Sequence, residues 1–503
     1  MAGCHMIPSE PRPLIKDNAA SKISPVVPFW RTPHLLRIRA GQPHCAQRLS
    51  TPPREHAFLA IAVAKSAQTS SVARMKQCGR IGFKWLPIVL ASLVLCGGCS
   101  ILPPFNKNLP GNRAFIDYWP PDPNRKELRL AIKDNIDMKG VVTTAGSGIF
   151  SETHKPAEKD APCLAIARQR NLQIVGKTNM TEFAISPSGL NEYFGTPVNP
   201  LKRNLIPGGS SSGNAVALAS GMADVAFGTD TAGSIRVPAA CCGVVGLKTT
   251  YGLIPIEGVY SVEPKHLDTV GPMGKDIAHT VQGMELLQDG FAAKYAAAKA
   301  AKPTGRSIRV GRLKLKGTDP KIDQAIDDAL AKAGFQVVEL DESLSDKFEQ
   351  AKKDGTTVAS AGTWISDERL QFALGVSART KAVIRLGQIN YTTGYRSALA
   401  RRSAWQQTLR NVFEKVDLIA LPTLQKTPPG LPLLNLRIGI LDAYVLRVQN
   451  TVAVNFAGNP ALAVPVPLSG ANVSFTSLQL IGPRLAEADL LNAGRLVESA
   501  VNR

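Results

Sequence analysis

Histidine is scarce in this chain. There are seven in 503 residues, and only His154, His266 and His279 fall beyond residue 100. None of these three has metal-ligand spacing or sits in a Ser-His-Asp setting. Cysteine is equally uninformative as a framework. Of eight, Cys4, Cys45, Cys78, Cys96 and Cys99 crowd the N-terminal end, and Cys163, Cys241 and Cys242 follow. The last two are adjacent and cannot easily bridge, and the lone CxxC, Cys96-Gly-Gly-Cys99, lacks the second ligand pair of a zinc site. These three read as small buried residues. No GxxxxGK[ST] is present, which excludes a P-loop, and the one GxSxG string, Gly209-Ser-Ser-Ser-Gly213, follows Pro207 with no strand pattern leading into it, so it is not read as a nucleophile elbow. Neither a repeat of 20–50 residues nor a fibrous or disordered bias dominates the chain.

Acidic residues are in deficit: 39 Asp and Glu against 59 Lys and Arg, a formal charge of +20. Residues 1–74 supply +7 of this, with 10 basic and 3 acidic side chains. The remainder is spread thinly, without a basic stripe or an aromatic ladder, so no nucleic-acid partner is predicted.

Residues 75–99 read MKQCGRIGFKWLPIVLASLVLCGGC. Lys76, Arg80 and Lys84 precede an apolar run, Trp85–Leu95, of 11 residues. That is short of the roughly 20 needed to span a bilayer, and has the layout of a secretory signal. Gly97-Gly98-Cys99 also resembles a lipobox, with Cys96 where Leu is usual, so a lipid on Cys99 is a candidate membrane attachment. The location expected is the cell envelope, as a periplasmic or lipid-anchored protein. Residues 1–74, rich in Pro, Arg and Ser, are read as an extension outside the fold, with Met75 a plausible start. Residues 100–124 are read as a Pro-rich tether.

From residue 125 onward, strand and helix patterns alternate. Leu128–Ile132 predicts a strand leading into Lys133, Asp160–Arg170 a helix, Leu172–Gly176 a buried strand, Ala215–Ser220 a helix and Ala223–Phe227 a strand. Residues 290–302 read as a surface helix. A strand at Ile308–Leu313, an amphipathic helix at Ile322–Ala333 and a strand at Phe335–Leu340 follow. Residues 343–415 read as mostly helical, and Val416–Leu421 as a strand. The alternation predicts an α/β fold.

The chemistry concentrates in two Gly/Ser clusters, Pro207-Gly-Gly-Ser-Ser-Ser-Gly213 and Gly228-Thr-Asp-Thr-Ala-Gly-Ser-Ile-Arg-Val-Pro238. Glycines of this density allow left-handed turns and close approach of a ligand. Successive N–H groups in such turns form anion nests, which suit a phosphate or an oxyanion equally. With no histidine in a Ser-His-Asp setting, a serine nucleophile here needs another base, and a neutral lysine can serve.

The segment PGGSSSGNAVALASGMADVAFGTDTAGSIRVPAACCGVVGLKTT resembles the signature block of the amidase signature family. The likeness extends to Ala131-Ile-Lys-Asp-Asn-Ile136, Gly176-Lys-Thr-Asn-Met-Thr-Glu-Phe183, Phe194-Gly-Thr-Pro-Val-Asn-Pro200 and Leu267-Asp-Thr-Val-Gly-Pro-Met273. Downstream it takes in Ala420-Leu-Pro-Thr423, Asn455-Phe-Ala-Gly-Asn-Pro460 and Leu478-Gln-Leu-Ile-Gly-Pro483. It covers roughly residues 125–500 in order.

The resemblance implies one α/β domain over 125–503, a large mixed sheet with helices on both faces. It implies a Ser–cis-Ser–Lys triad: Ser234 as nucleophile, Ser210 as bridging serine and Lys133 as base. The N–H groups of Thr231, Ala232, Gly233 and Ser234 would form the oxyanion hole, and Asp230 and Arg236 would lend structural support. The expected reaction is hydrolysis of a small, linear carboxamide through an acyl-enzyme, with no metal or cofactor. The alternatives are an A subunit-like component of a glutamine amidotransferase, and a non-catalytic envelope binding protein on the same scaffold. Ala232, Ser212, Asn214 and Thr249 depart from the family's usual residues, and none removes a triad member. Substrate identity and oligomeric state are left open.

Overall fold

The computed structural model describes residues 109–432 and 438–502. The expected extension at 1–74 and signal at 75–99 lie outside the described residues, as does the tether up to residue 108.

Eleven strands form one mixed sheet. In chain order they are β1 (Phe115–Tyr118), β2 (Arg129–Lys133), β3 (Gln173–Thr178), β4 (Val225–Asp230), β5 (Val245–Lys248) and β6 (Thr269–Gly274). The rest are β7 (Arg309–Arg312), β8 (Gln336–Glu339), β9 (Leu418–Pro422), β10 (Ala461–Pro467) and β11 (Phe475–Ile481). Their order across the sheet is β1-β3-β2-β4-β6-β5-β10-β11-β9-β7-β8. β3, β2 and β4 run parallel, as do β9, β7 and β8, and the pairs between are antiparallel. The residues expected as a tether therefore include β1, an edge strand paired antiparallel with β3.

Both faces of the central strands are buried, and side-chain size sorts between them. Leu130, Ile132, Val225, Phe227, Leu462 and Val464 face one way and pack with the helices Ile277–Leu287, Pro320–Lys332 and Glu487–Val501. The alternate positions Ala131, Ala226 and Ala463 face the other way. This is the period-2 alternation of a strand, with bulk on one side and alanine on the other. Alanine lets two short helices, α1 (Ser212–Ala219) and α2 (Arg236–Cys242), lie close to the sheet. At Gly246, a Cβ would meet Ile235 and Ala239 at 2.9 and 3.0 Å, which leaves no room for a side chain under α2.

That close approach positions the site. β2 and β4 are adjacent and parallel, so their carboxyl ends open at the same edge of the sheet. The two Gly/Ser clusters lie there, one entering α1 and the other running from β4 into α2. Ligands of open α/β sheets bind at this edge.

Candidate active site

Lys133 ends β2 and is fully buried. Its Nζ donates to Ser210 Oγ and to Thr229 Oγ1, each at 2.7 Å. Asn135 Nδ2 also donates to Thr229 Oγ1 at 3.1 Å, which fixes the β4 hydroxyl that the lysine head meets. Ser210 follows a cis peptide bond from Gly209 and is likewise fully buried. The two loops are tied where Ser211 N donates to Ser234 O at 3.2 Å. Ser234 is 9% exposed and lines a cleft together with Gly209. Folding thus brings Lys133, Ser210 and Ser234 to one sheet edge from positions up to 101 residues apart.

The backbone from Thr231 to Ser234 has an uncommon hydrogen-bond pattern. None of its four N–H groups finds an acceptor among the described residues. Its flanks and carbonyls, in contrast, are pinned. Ile235 N donates to Asp230 Oδ2 at 3.1 Å, and Thr231 Oγ1 donates to Asp268 Oδ1 at 2.6 Å. Ala232 O accepts from Thr451 Oγ1 at 2.5 Å and from Gln449 Nε2 at 3.2 Å. Unpaired N–H groups on a fixed backbone are what an anion site requires. Gly233 has φ +136°, and a Cβ there would fall 2.2 Å from Thr451 Oγ1, so only glycine fits.

Asp230 and Arg236 form a buried ion pair at 2.9 Å beneath this segment. Arg236 also reaches Thr451 O, Gln479 Oε1 and Asn455 Oδ1, so every guanidinium nitrogen is bonded. Burial opposes the Asp230 charge, but Arg236 outweighs it and holds the carboxyl down at about 2. Lys133 shows the reverse balance. Burial drives it down from 10.5 to about 7, while Asp230 and Asp268 only partly oppose. A buried amine without a carboxylate in contact sheds its proton readily.

Two of the departures are met by hydrogen bonds, whereas Ser212 Oγ is buried without a partner among the described residues. Asn214 accepts from Thr178 and donates to Phe227 O, and Thr249 donates to Val270 O. Cys163, Cys241 and Cys242 are buried free thiols, and burial pushes Cys241 up to about 12, which leaves it inert. Among the described residues, no group of three or more His, Cys, Asp or Glu could hold a metal ion.

The cleft above Ser234 encloses about 680 Å³. Three helices wall it: α3 (Glu342–Asp367), α4 (Ala378–Thr393) and α5 (Ile438–Val448). Ile185, Val262, Ala359, Val383 and Leu446 make it largely apolar. A charged cluster interrupts that wall. Arg379 donates to Asp442 at 3.2 Å, to Glu192 at 2.8 Å and to Ser186 Oγ at 3.0 Å. Sequence reasoning missed Arg379, Asp442 and Gln449. They lie in helical or linking stretches without a local motif, up to 215 residues beyond Ser234. The stretch that holds Arg379 is read from sequence only as mostly helical, 343–415, with no boundary at Ser377, where the structure caps α4.

A family model described as Amidase matches residues 128–491. The A subunit of the glutamyl-tRNA(Gln) amidotransferase of Halobacterium salinarum is 33% identical over 414 residues, covering 73% of this chain and 94% of that protein. The solved structure of the corresponding protein from Thermotoga maritima is similar at 25% identity and TM-score 0.62, covering 76% of this chain and 87% of that one. The structure of 6-aminohexanoate cyclic dimer hydrolase, at 23% identity and TM-score 0.65, shares the fold over 75% of this chain and 85% of its own.

These relatives correct the expected cell-envelope location. The curated ones are named as A subunits of the glutamyl-tRNA(Gln) amidotransferase, a name with no envelope role in it. The signal-like segment and Cys99 that prompted the expectation lie outside the described residues. Among the described residues no helix is long and apolar enough to cross a membrane.

Proposed function

The chain belongs to the amidase signature family, and from that premise we propose that it cleaves the C–N bond of a carboxamide through an acyl-enzyme on Ser234. The observation that carries this reading is the 2.7 Å contact of Lys133 Nζ with Ser210 Oγ, beside a four-residue segment of unpaired N–H groups that ends at Ser234.

In this reading Lys133 is neutral at the working pH, and its lone pair takes the proton of Ser210. Ser210 takes the proton of Ser234, whose Oγ attacks the carbonyl carbon. The N–H groups of Thr231, Ala232, Gly233 and Ser234 receive the oxyanion, and each such donor is worth roughly 2.7–4 kcal/mol to the transition state. Collapse returns the proton through Ser210 to the departing nitrogen. Water then repeats the cycle against the acyl ester and releases the carboxylic acid.

The substrate favoured is an amino-acid amide of the glutamine type, as suits the nitrogen-donating half of a glutamine amidotransferase. Two observations support it. The curated relatives carry an amidotransferase name, and Arg379 and Asp442 offer a cation and an anion on an otherwise apolar wall. An α-carboxylate and α-ammonium complement such a pair, and the apolar wall suits a methylene stem. A stand-alone hydrolase of a small apolar, linear amide is the second reading, favoured by the extent of that wall.

The test is incubation of the full chain with L-glutamine or with butyramide, following ammonia. Ammonia and glutamate in equal amounts, absent in Ser234→Ala, would support the first reading. Turnover of butyramide alone would favour the second. Turnover of glutamine by Ser234→Ala would sink both.

A further inference from the structure

Gln449 is 1% exposed, yet it lines the cleft with Gly233 and Ser234. Its backbone is fixed at the end of α5, where its N–H donates to Val445 O at 3.0 Å, and by a bridge to Leu424. Its side-chain amide is oriented by Ala232 O, which accepts from Nε2 at 3.2 Å. A carbonyl oxygen can face only the nitrogen end of an amide, so the orientation of the side chain follows. That leaves Oε1 at the other end, buried and without a hydrogen-bond donor among the described residues. A buried acceptor left unpaired costs free energy, and a ligand that supplies the missing N–H recovers it.

We propose that Gln449 is a specificity-determining residue whose Oε1 accepts an N–H from the scissile nitrogen of the bound amide. Nε2 anchors the group to the oxyanion segment, and Oε1 reads whether the atom leaving Ser234 is a nitrogen that carries hydrogen. A primary amide supplies that N–H. An ester brings an oxygen that cannot donate, and a tertiary amide brings a nitrogen without hydrogen. Sites built around a substrate N–H reject analogues lacking it, because the protein's acceptor then stays unpaired. Thr451 makes the second bond to Ala232 O but does not line the cleft, so it pins the segment without reading the substrate.

This inference rests on the acyl-enzyme reading above, and its test separates the two. The full chain is assayed on a primary amide, an N,N-dimethyl amide and a methyl ester, in both γ-glutamyl and butyryl series. Gln449→Met, of similar length, removes the bond to Ala232 O for every substrate and the Oε1 acceptor for the amide alone, so kcat/KM for the primary amide should fall roughly tenfold further than for the ester, the worth of one buried hydrogen bond. Thr451→Val should lower amide and ester together. An equal fall of amide and ester in Gln449→Met would overturn the proposal. Wild type gives a reading that needs no variant: equal kcat/KM for primary and N,N-dimethyl amides would also overturn it. Ester turnover and fluorophosphonate labelling of Ser234 report the acylation machinery separately. Loss of both in wild type would defeat the underlying mechanism and this inference with it.

Discussion

Lys133 Nζ lies 2.7 Å from Ser210 Oγ, and solvent reaches neither residue. Burial therefore sets the chemistry of the pair. The ammonium form loses its hydration, and no carboxylate contacts the Nζ to replace it. A lysine in water is protonated below about 10.4 and could not act as a base at neutral pH. This one is drawn down to about 7.

The pH dependence of acylation follows with a definite sign. Lys133 must be neutral to accept a proton, so the rate should climb as pH rises to about 7 and level off above it. Below the midpoint the slope should approach tenfold per pH unit. Stopped-flow measurement of ester acylation between pH 5 and 9 checks this. A flat profile, or a fall across pH 7, would contradict the role given to Lys133.

Gly233→Ala should impair the oxyanion segment. The new methyl would fall 2.2 Å from Thr451 Oγ1, at a φ of +136° that L side chains avoid. Displacing that segment should cost roughly 10²- to 10³-fold in kcat, the loss seen when an oxyanion donor is removed. Steady-state kinetics with a spectroscopic check of folding would measure it, and wild-type kcat in a folded variant would refute it.

Arg236→Met should destabilise the fold by about 3–5 kcal/mol, because it strands the Asp230 carboxylate in a site with no solvent. The pair is buried on both sides at 2.9 Å. In contrast, Glu257→Gln breaks a surface pair with Lys159 and should leave the denaturation midpoint unchanged. Equilibrium denaturation of both variants compares the two directly.

Arg379→Ala should distinguish charged from uncharged substrates. If Arg379 and Asp442 read the head of an amino-acid amide, kcat/KM for glutamine should fall roughly tenfold or more, while butyramide changes little. Parallel losses on both would instead assign Arg379 to holding α4 against Glu192 and Ser186.

The part of the fold nearest the signature was legible in the sequence. β2, β3 and β4 fall where short apolar runs predicted strands, and Pro320–Lys332 follows the amphipathic pattern of 322–333. β6 was not legible. It carries Pro272, paired with Phe227 in the middle of the sheet, where a residue without an N–H argues against a central strand. β10 and β11 went unassigned because both are buried and lack clean alternation. β1 was hidden among prolines and pairs only at the sheet edge. The same limit applies at the site. Lys133, Ser210 and Ser234 stand in dense motifs, whereas Gln449, Arg379 and Asp442 reach the cleft only through packing of α4 and α5. No local pattern encodes that packing.

The measurement that tests the account most directly is intact-mass analysis of the full chain after exposure to a fluorophosphonate. Wild type is compared with Ser234→Ala and Lys133→Ala. The account predicts one covalent adduct on wild type, none on Ser234→Ala, and slowed labelling of Lys133→Ala that no longer accelerates as pH rises through about 7. No adduct on folded wild type, or undiminished labelling of Ser234→Ala, would contradict it.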